Sequence, residues 1–472
     1  MTHKSLKSVV WLRRDLRITD NSALTKACCS SIEVIPFLNL DFLKIGNSRF
    51  DSWSLSAVES IKRDLMKRGS DLIVSRGEIT LDLISVCKAF NATQVFWVKS
   101  LEPLENLSDI NIQRKLKENG IQTDITENPD KAFVSHSEVY LTSYKRYSNS
   151  VSLTQIGKPN PIPDSLKPPL RWRNYGLGSS FGKALDDESQ GGERNVKPGS
   201  ANRTIKKITA NRINHTFPLR PFLPDGNKGT EISTYLSHGQ FSLREILCDL
   251  NKYSDQSDED GISKLAKQLL WRGFAKSFMH HHPRLEYECK DSRFDKIKWD
   301  NSNELLEAWK TGVTGYPIVD AAMRQLSKEG WMPNRARLIA ASFLVKQLLV
   351  TWRLGAEWFM KQLFDADKAS NYFNWQWVTG CGINSNPYFR ILNPTLQSKK
   401  FDPFGEYIKT WVPELSELNN QNIHTPWLCD TTTLSESCIT LGKTYPHPIV
   451  EHMSAREAAL KAYSAALKND VT

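Results

Sequence analysis

The 472-residue chain has no run of about eighteen apolar residues and no basic segment leading into an apolar one, so neither a membrane span nor a secretory leader can be read from it. Its eight cysteines (Cys28, Cys29, Cys87, Cys248, Cys289, Cys381, Cys429 and Cys438) include no CxxC pair and no ligand-like spacing. That excludes a disulfide framework and a cysteine zinc site, and leaves reduced thiols as the expectation. No GxGxxG or GxxxxGK loop follows the first apolar run, which removes the usual glycine-rich phosphate cradles. No Ser-His-Asp or paired-carboxylate arrangement emerges by spacing, and no internal repeat is present. The tripeptide His280 to His282 is a poor metal site, because consecutive residues leave a helix in different directions and Pro283 follows at once.

Positive charge and tryptophan are what the chain has in excess. Lys and Arg number 62 against 52 Asp and Glu, a net charge of +10, which suits a polyanionic partner. The 14 tryptophans are large, amphipathic side chains that need burial or a ligand to justify them. The length leaves room for two or three domains.

From Ser8 to about Ser137 short apolar runs (SVVWL, IEVIPFL, SDLIVSR, TQVFWV) alternate with helix-periodic segments such as LSAVESIKRDLMKRG and LDLISVCKAF. That rhythm predicts an α/β domain over residues 1–137, a doubly wound parallel sheet with helices on both faces. Arg13, Arg14, Asp15, Arg17 and Asp20 follow the first strand, where their pattern alone reads as a solvated charged loop. Residues 138–204 turn to Pro, Gly, Ser and charge, an interdomain linker. From 205 to 468 the runs lengthen and become helix-periodic, predicting an all-α domain.

The stretch Trp309 to Leu415 organises that second half. Ala336 to Val350 reads as a helix buried on most of its circumference, yet it carries Arg337 and Lys346 and follows Asn334 and Arg335. Arg337 cannot give up its proton, so burial demands a carboxylate, and Asp365 and Asp367 are the nearest downstream. Asn371, Trp375 and Trp377 come next, as packing aromatics with a capping Asn or as parts of a site.

The strings TGYPIVDAAMRQL, WMPNRARLIAASFLVKQLL, FDADKASNYFNWQW, NPYFRILNPTLQSKKFDP and GEYIKTWVPEL, in this order, resemble the flavin-binding domain of the photolyase/cryptochrome family. WLRRDLRITDNSAL and LLWRGF extend the resemblance over nearly the whole chain, closest to the photolyases that repair cyclobutane pyrimidine dimers. The resemblance implies an N-terminal antenna domain and a C-terminal domain that binds FAD and DNA. It places Gly229, Thr230, Ile232 and Ser233 at the flavin diphosphate, where a helix N-terminus suits phosphate. Arg337 and Asp365 become an ion pair beside the ring, Asp367 a ring or ribose contact, and Asn371 the residue opposite N5. Asn offers donor and acceptor and so suits a fully reduced flavin. Trp375, Trp352 and Trp299 align with the family's electron-transfer chain.

For the substrate, the resemblance assigns Gln268, Trp271, Arg272, Asn334, Arg335, Leu338, Trp377, Arg390 and Gln397 to the cavity that receives a flipped dimer or to the DNA backbone. The implied reaction is light-driven repair by an electron from excited reduced FAD, a carbon–carbon lyase activity. The implied partner is damaged DNA, met by a monomer in the cytoplasm, on the nucleoid if the source is bacterial. Three positions depart from the dimer-repairing pattern: Gln268 and Leu338 stand where Glu and Met are usual, and WRGF replaces WREF at Gly273. The two His of (6-4) photolyases are replaced by Asn334 and Leu338, so cyclobutane repair stays ahead. The alternative is a cryptochrome, a blue-light receptor without repair. A DNA-binding protein without photochemistry is disfavoured by Arg337, Asp365 and Asn371. Leu104 and Glu105 keep half of an Asn-Glu pair used for folate, leaving folate, deazaflavin, a second flavin or no antenna open.

Overall fold

The computed structural model describes residues 5–134, 142–151, 157–163, 166, 232–251, 259–383, 385 and 387–468. They fall into two compact units, one holding the sheet together with Ile232–Pro283 and the other containing Arg284–Thr472. Most of the segment expected as a linker, with Gly229 and Thr230, lies outside the described residues.

In the first unit the chain runs β1 (Ser5–Leu12), α1 (Ser22–Ser30), β2 (Ser31–Asn39), α2 (Ser48–Met66), β3 (Ile73–Ser75), α3 (Ile79–Phe90), β4 (Gln94–Val98), α4 (Pro103–Glu118) and β5 (Gln122–Thr126). All neighbours pair in parallel, in the order β3-β2-β1-β4-β5. The strands' period of two splits their apolar residues between two cores. Val10, Leu12, Val34, Leu38 and Phe96 pack against Ala57, Val58, Ile61 and Leu65 of α2. Val9, Trp11, Ile35, Phe37, Val95 and Trp97 pack against Leu83, Val86 and Phe90 of α3 and Leu116 of α4. Pro36 is tolerated inside β2 because β3 pairs only with Phe37–Asn39, beyond the missing N–H. The sequence pattern did not reveal β5: it is an edge strand, QTDIT, too polar to register as an apolar run.

Also in this unit are α5 (Tyr144–Ser150), α6 (Ile232–Ser237), α7 (Leu243–Asn251) and α8 (Glu259–His281). Here the charged block after β1 departs from the solvated loop its pattern suggests, because Arg13, Asp15, Arg17 and Asp20 are all buried. Arg13 pairs with Asp109 at 2.9 Å, Arg17 donates to the Gly239 carbonyl at 2.9 Å, and Asp20 accepts from Ser242 and Arg244. Arg13, Arg17 and Asp20 have found partners distant in sequence, which no local pattern encodes, whereas Asp15 accepts locally from Arg13 N–H and Asn21 Nδ2.

The second unit is helical: α9 (Asn303–Thr311), α10 (Pro317–Glu329), α11 (Asn334–Lys346), α12 (Trp352–Gln362), α13 (Lys368–Thr379), α14 (Pro394–Phe401), α15 (Glu406–Trp411) and α16 (His452–Lys468). Pro317 opens α10 and Gly330, at φ 68°, closes it, a start and stop visible in the sequence. The buried helix expected over Ala336–Val350 is α11, but it ends at Lys346. Leu348 N–H and Val350 N–H turn back to Phe343 O and Leu344 O around Leu349 at φ 50°, a left-handed stop made by leucine instead of the usual glycine.

Candidate functional site

The first turn of α11 presents a cluster of polar groups. Arg337 donates from Nε to Met332 O at 3.0 Å and from Nη2 to both carboxylate oxygens of Asp365, at 2.9 and 3.1 Å. The pair expected from sequence is therefore present, but the expected full burial of Arg337 is not: its side chain keeps 23% of its exposure while that of Asp365 keeps 3%. Arg337 sits one turn from the start of α11, before the helix enters the core. Asn334 and Leu338, four apart on the same helix face, are exposed and half-buried. Arg335 turns to α14, its guanidinium 4.2 Å above the Phe401 ring, and burial lowers its pKa. Gln397, one turn before Phe401, shares that face of α14 and is half-buried.

Asp367 is the N-cap of α13, accepting from Ser370 N–H at 2.9 Å. Asn371 follows one turn later; its Nδ2 donates to Ala356 O of α12 at 2.9 Å, while Oδ1 takes no hydrogen bond from the described residues. A further turn along, buried Trp375 packs edge-on to Phe359 at 5.0 Å and to Trp309 at 6.2 Å. Gly355 on α12 makes room for it. The two residues after Trp375 behave differently. Gln376 is fully buried and ties the last turn of α13 to Leu285 O and Glu288 O at 2.9 and 2.7 Å, whereas Trp377 stays half-exposed.

Trp352 opens α12, is fully buried, and meets Tyr372 edge-on at 6.5 Å. Trp299 lies ahead of α9, half-exposed, meeting Tyr463 edge-on with ring centroids 6.2 Å apart. The indole N–H groups of Trp375 and Trp352 meet no acceptor among the described residues. Exposure thus rises from Trp375 and Trp352 to Trp299. Arg390 is exposed beside Phe389, itself 58% exposed.

In the other unit, Gln268, Trp271 and Arg272 share one face of α8 by their i, i+3, i+4 spacing. Gln268 is exposed, and Trp271 and Arg272 are half-buried. Ile232 and Ser233 form the first turn of α6, with Ile232 buried and Ser233 half-buried. Among the described residues no group of three or more His, Cys, Asp or Glu could hold a metal, and no helix is long and apolar enough to cross a membrane.

Sequence reading missed Trp309, Phe359 and Gly355, which hold Trp375. Only Gly355, a glycine inside the helical pattern WRLGAEWFM, gave a signal that two elements approach closely.

The chain thus combines a five-stranded parallel α/β unit with a helical unit that carries the Arg337–Asp365 pair. Residues 8–147 match the family described as DNA photolyase, and residues 265–465 that described as the FAD binding domain of DNA photolyase. The deoxyribodipyrimidine photo-lyase of Agrobacterium fabrum is 32% identical, over 99% of this chain and 100% of the relative, and that of Escherichia coli is 31% identical, over 98% and 99%. Cryptochrome-1 of Sinapis alba is 29% identical over 97% of this chain and 96% of its own. The crystal structure of a bacterial class III photolyase from Agrobacterium tumefaciens superimposes with a TM-score of 0.85, at 31% identity and 99% coverage of both chains. The chain belongs to the photolyase/cryptochrome family. Within it, its full-length relatives at 31–32% identity include several deoxyribodipyrimidine photo-lyases.

Proposed function

We propose that this protein repairs DNA in light, splitting cyclobutane pyrimidine dimers with FAD as its cofactor. The observation that carries the reading is the half-open Arg337–Asp365 pair, followed on α13 by Asn371 and buried Trp375, in a chain aligned end to end with photo-lyases. The residues suit a flavin. Arg337 already balances Asp365, so a neutral or anionic ring beside them meets no unpaired buried charge. With Nδ2 of Asn371 committed to Ala356 O, its Oδ1 is the group left to accept a hydrogen bond, as a protonated ring nitrogen requires. Backbone amides at the start of α6, with Ser233, would serve the diphosphate.

Bound in its reduced state, FAD would supply under blue light an electron that lets the two carbon–carbon bonds of the cyclobutane ring break and that then returns to the flavin, with no net oxidation or reduction. The protein's task is then to bring the dimer in and keep it there. A dimerised pair stacks poorly, so extruding it costs less than extruding normal bases. In the first unit Trp271 offers an apolar surface to a base and Arg272 a phosphate contact; in the second, Trp377 offers an apolar surface, Asn334 a hydrogen bond to base carbonyls, Leu338 and Gln397 further base contacts, and Arg335 and Arg390 phosphate contacts. Trp375, Trp352 and Trp299 carry electrons inward when the cofactor must be reduced. With no acceptor for their N–H groups among the described residues, the first two indoles are not set up to lose a proton while oxidised.

Gln268 favours a second reading, a cryptochrome-type receptor, because an amide at this place can hydrogen-bond a base but cannot supply a proton. The experiment that separates them is binding and repair of a dimer-containing duplex by the reduced, illuminated protein. Preferential binding with loss of dimers on illumination supports repair; no binding preference and no splitting leaves the receptor.

A further inference from the structure

A buried aromatic seat lies behind the Trp271 face of α8 and takes no part in the chemistry above. Gly273 sits in the middle of α8, where a Cβ would come 2.3 Å from Tyr147 Oη and 3.1 Å from Phe133 O. Tyr147 of α5, fully buried, donates from that hydroxyl to Phe133 O at 2.6 Å, and Ser277 Oγ reaches the same carbonyl at 3.2 Å. The hydroxyl fills the volume that any larger residue at 273 would claim. Helix α5 therefore lies flush on α8 only because position 273 has no side chain.

One turn earlier on α5, Tyr144 uses this close seat to reach the front. Its hydroxyl donates to Lys267 O at 2.8 Å, and its ring stands 4.9 Å from Trp271 at 58°. Phe274 closes the group, 5.8 Å from both Tyr144 and Trp271 and 5.2 Å from Tyr147. Tyr144 and Trp271 are both half-buried, so their contact lies where the indole is still reachable from solvent. A core pair would be closed to any ligand.

We propose that Tyr144 is a positioning residue for substrate discrimination: it locks Trp271 in the orientation of a wall for an extruded base pair, and Gly273 with Tyr147 forms the seat that fixes Tyr144. The proposal rests on the reading of the Gln268, Trp271, Arg272 face as a substrate surface. A free indole must be ordered when the dimer binds, whereas a locked one is ordered beforehand, a difference of about 2- to 10-fold in affinity. Undamaged DNA, held through its phosphates, gains nothing from the lock.

The test is the ratio of affinities for dimer-containing and undamaged duplex, measured on the full-length, flavin-loaded protein at one salt concentration. Tyr144→Ala should lower the ratio about 2- to 10-fold through the damaged duplex alone. Tyr144→Phe, which keeps the ring, should recover most of it. Gly273→Ala should reproduce the loss by lifting α5, and Gly273→Ala with Tyr147→Phe should reverse it, because the hydroxyl in the way is gone. In a Trp271→Ala background Tyr144→Ala should have no further effect; an equal additional loss there would mean general destabilisation and overturn the proposal. An unchanged ratio in Tyr144→Ala also overturns it. If Trp271→Ala leaves the ratio intact while Trp377→Ala erases it, the proposal fails and the repair reading stands; if the wild type shows no preference, the repair reading itself has failed.

Discussion

The indole of Trp375 lies against the bare Cα of Gly355: a Cβ at that position would stand 2.2 Å from Cη2 of the ring and 2.6 Å from Cδ2 of Leu344. Gly355→Ala should therefore overpack this corner by about 1–3 kcal/mol, offset by up to about 1 kcal/mol of helix propensity. Chemical denaturation should show the loss. Adding Trp375→Phe, which removes Cη2, should restore part of it. An additive double mutant would show that the two residues do not meet.

Trp375→Phe alone should abolish fast photoreduction of the bound flavin by an external donor, because phenylalanine is far harder to oxidise than indole. Transient absorption after a flash checks it. Undiminished reduction would remove Trp375, Trp352 and Trp299 from the electron path.

Arg337→Leu removes the guanidinium that pairs with a carboxylate whose side chain is 3% exposed. The cost should fall near the lower end of the roughly 3–5 kcal/mol found for broken buried pairs, since the guanidinium itself is partly solvated. Flavin occupancy should fall with it. Arg337→Leu with Asp365→Asn should recover some stability but not the flavin; full occupancy in the single variant would make the pair peripheral.

The ion pair was legible because a guanidinium in an apolar helix demands a carboxylate, and Asp365 was among the few within reach. The parallel sheet was legible from its alternating runs. Hidden from the sequence were relations made only by the fold: Asp20 with Arg244, Arg13 with Asp109, Tyr147 in the hollow of Gly273. Lys346 is intermediate. Its charge inside an apolar run announced a need, but the solution is a carbonyl, Tyr388 O at 2.9 Å, and the face of Tyr463 at 4.4 Å, with no carboxylate among the described residues.

That solution has a pH signature. Burial lowers the Lys346 pKa from 10.5 to about 7, so between these values the unfolded chain binds the proton and the folded one does not. Stability contributed by this group should thus rise as pH climbs from about 7 toward 10, by on the order of a few kcal/mol at most. The neighbouring Cys381 thiol and Tyr463 phenol, both raised by burial, act in the opposite sense over the alkaline range. Comparison with Lys346→Met isolates the lysine: the stability of the variant minus that of the wild type should fall as pH increases from about 7 toward 10. A constant difference would mean that Lys346 does not titrate in this window.

Gln268 decides how strongly the repair reading holds. It is exposed on α8, one turn from Trp271 and Arg272, and its amide can donate to a base carbonyl without supplying a proton. Gln268→Glu places an acid there that, when protonated, can stabilise negative charge developing on the opened dimer, so the repair yield should rise, most at mildly acidic pH. Binding should dissect into two parts at the same time. Arg335→Ala or Arg390→Ala should weaken damaged and undamaged duplex alike and flatten the salt dependence, the mark of a phosphate contact. Trp377→Ala should instead erase the preference for damage, worth about 1–3 kcal/mol if stacking is its source. Should Gln268→Glu leave an inactive wild type inactive, with no preference for Trp377→Ala to remove, Trp271, Trp377 and Asn334 do not serve a dimer and the receptor reading takes precedence.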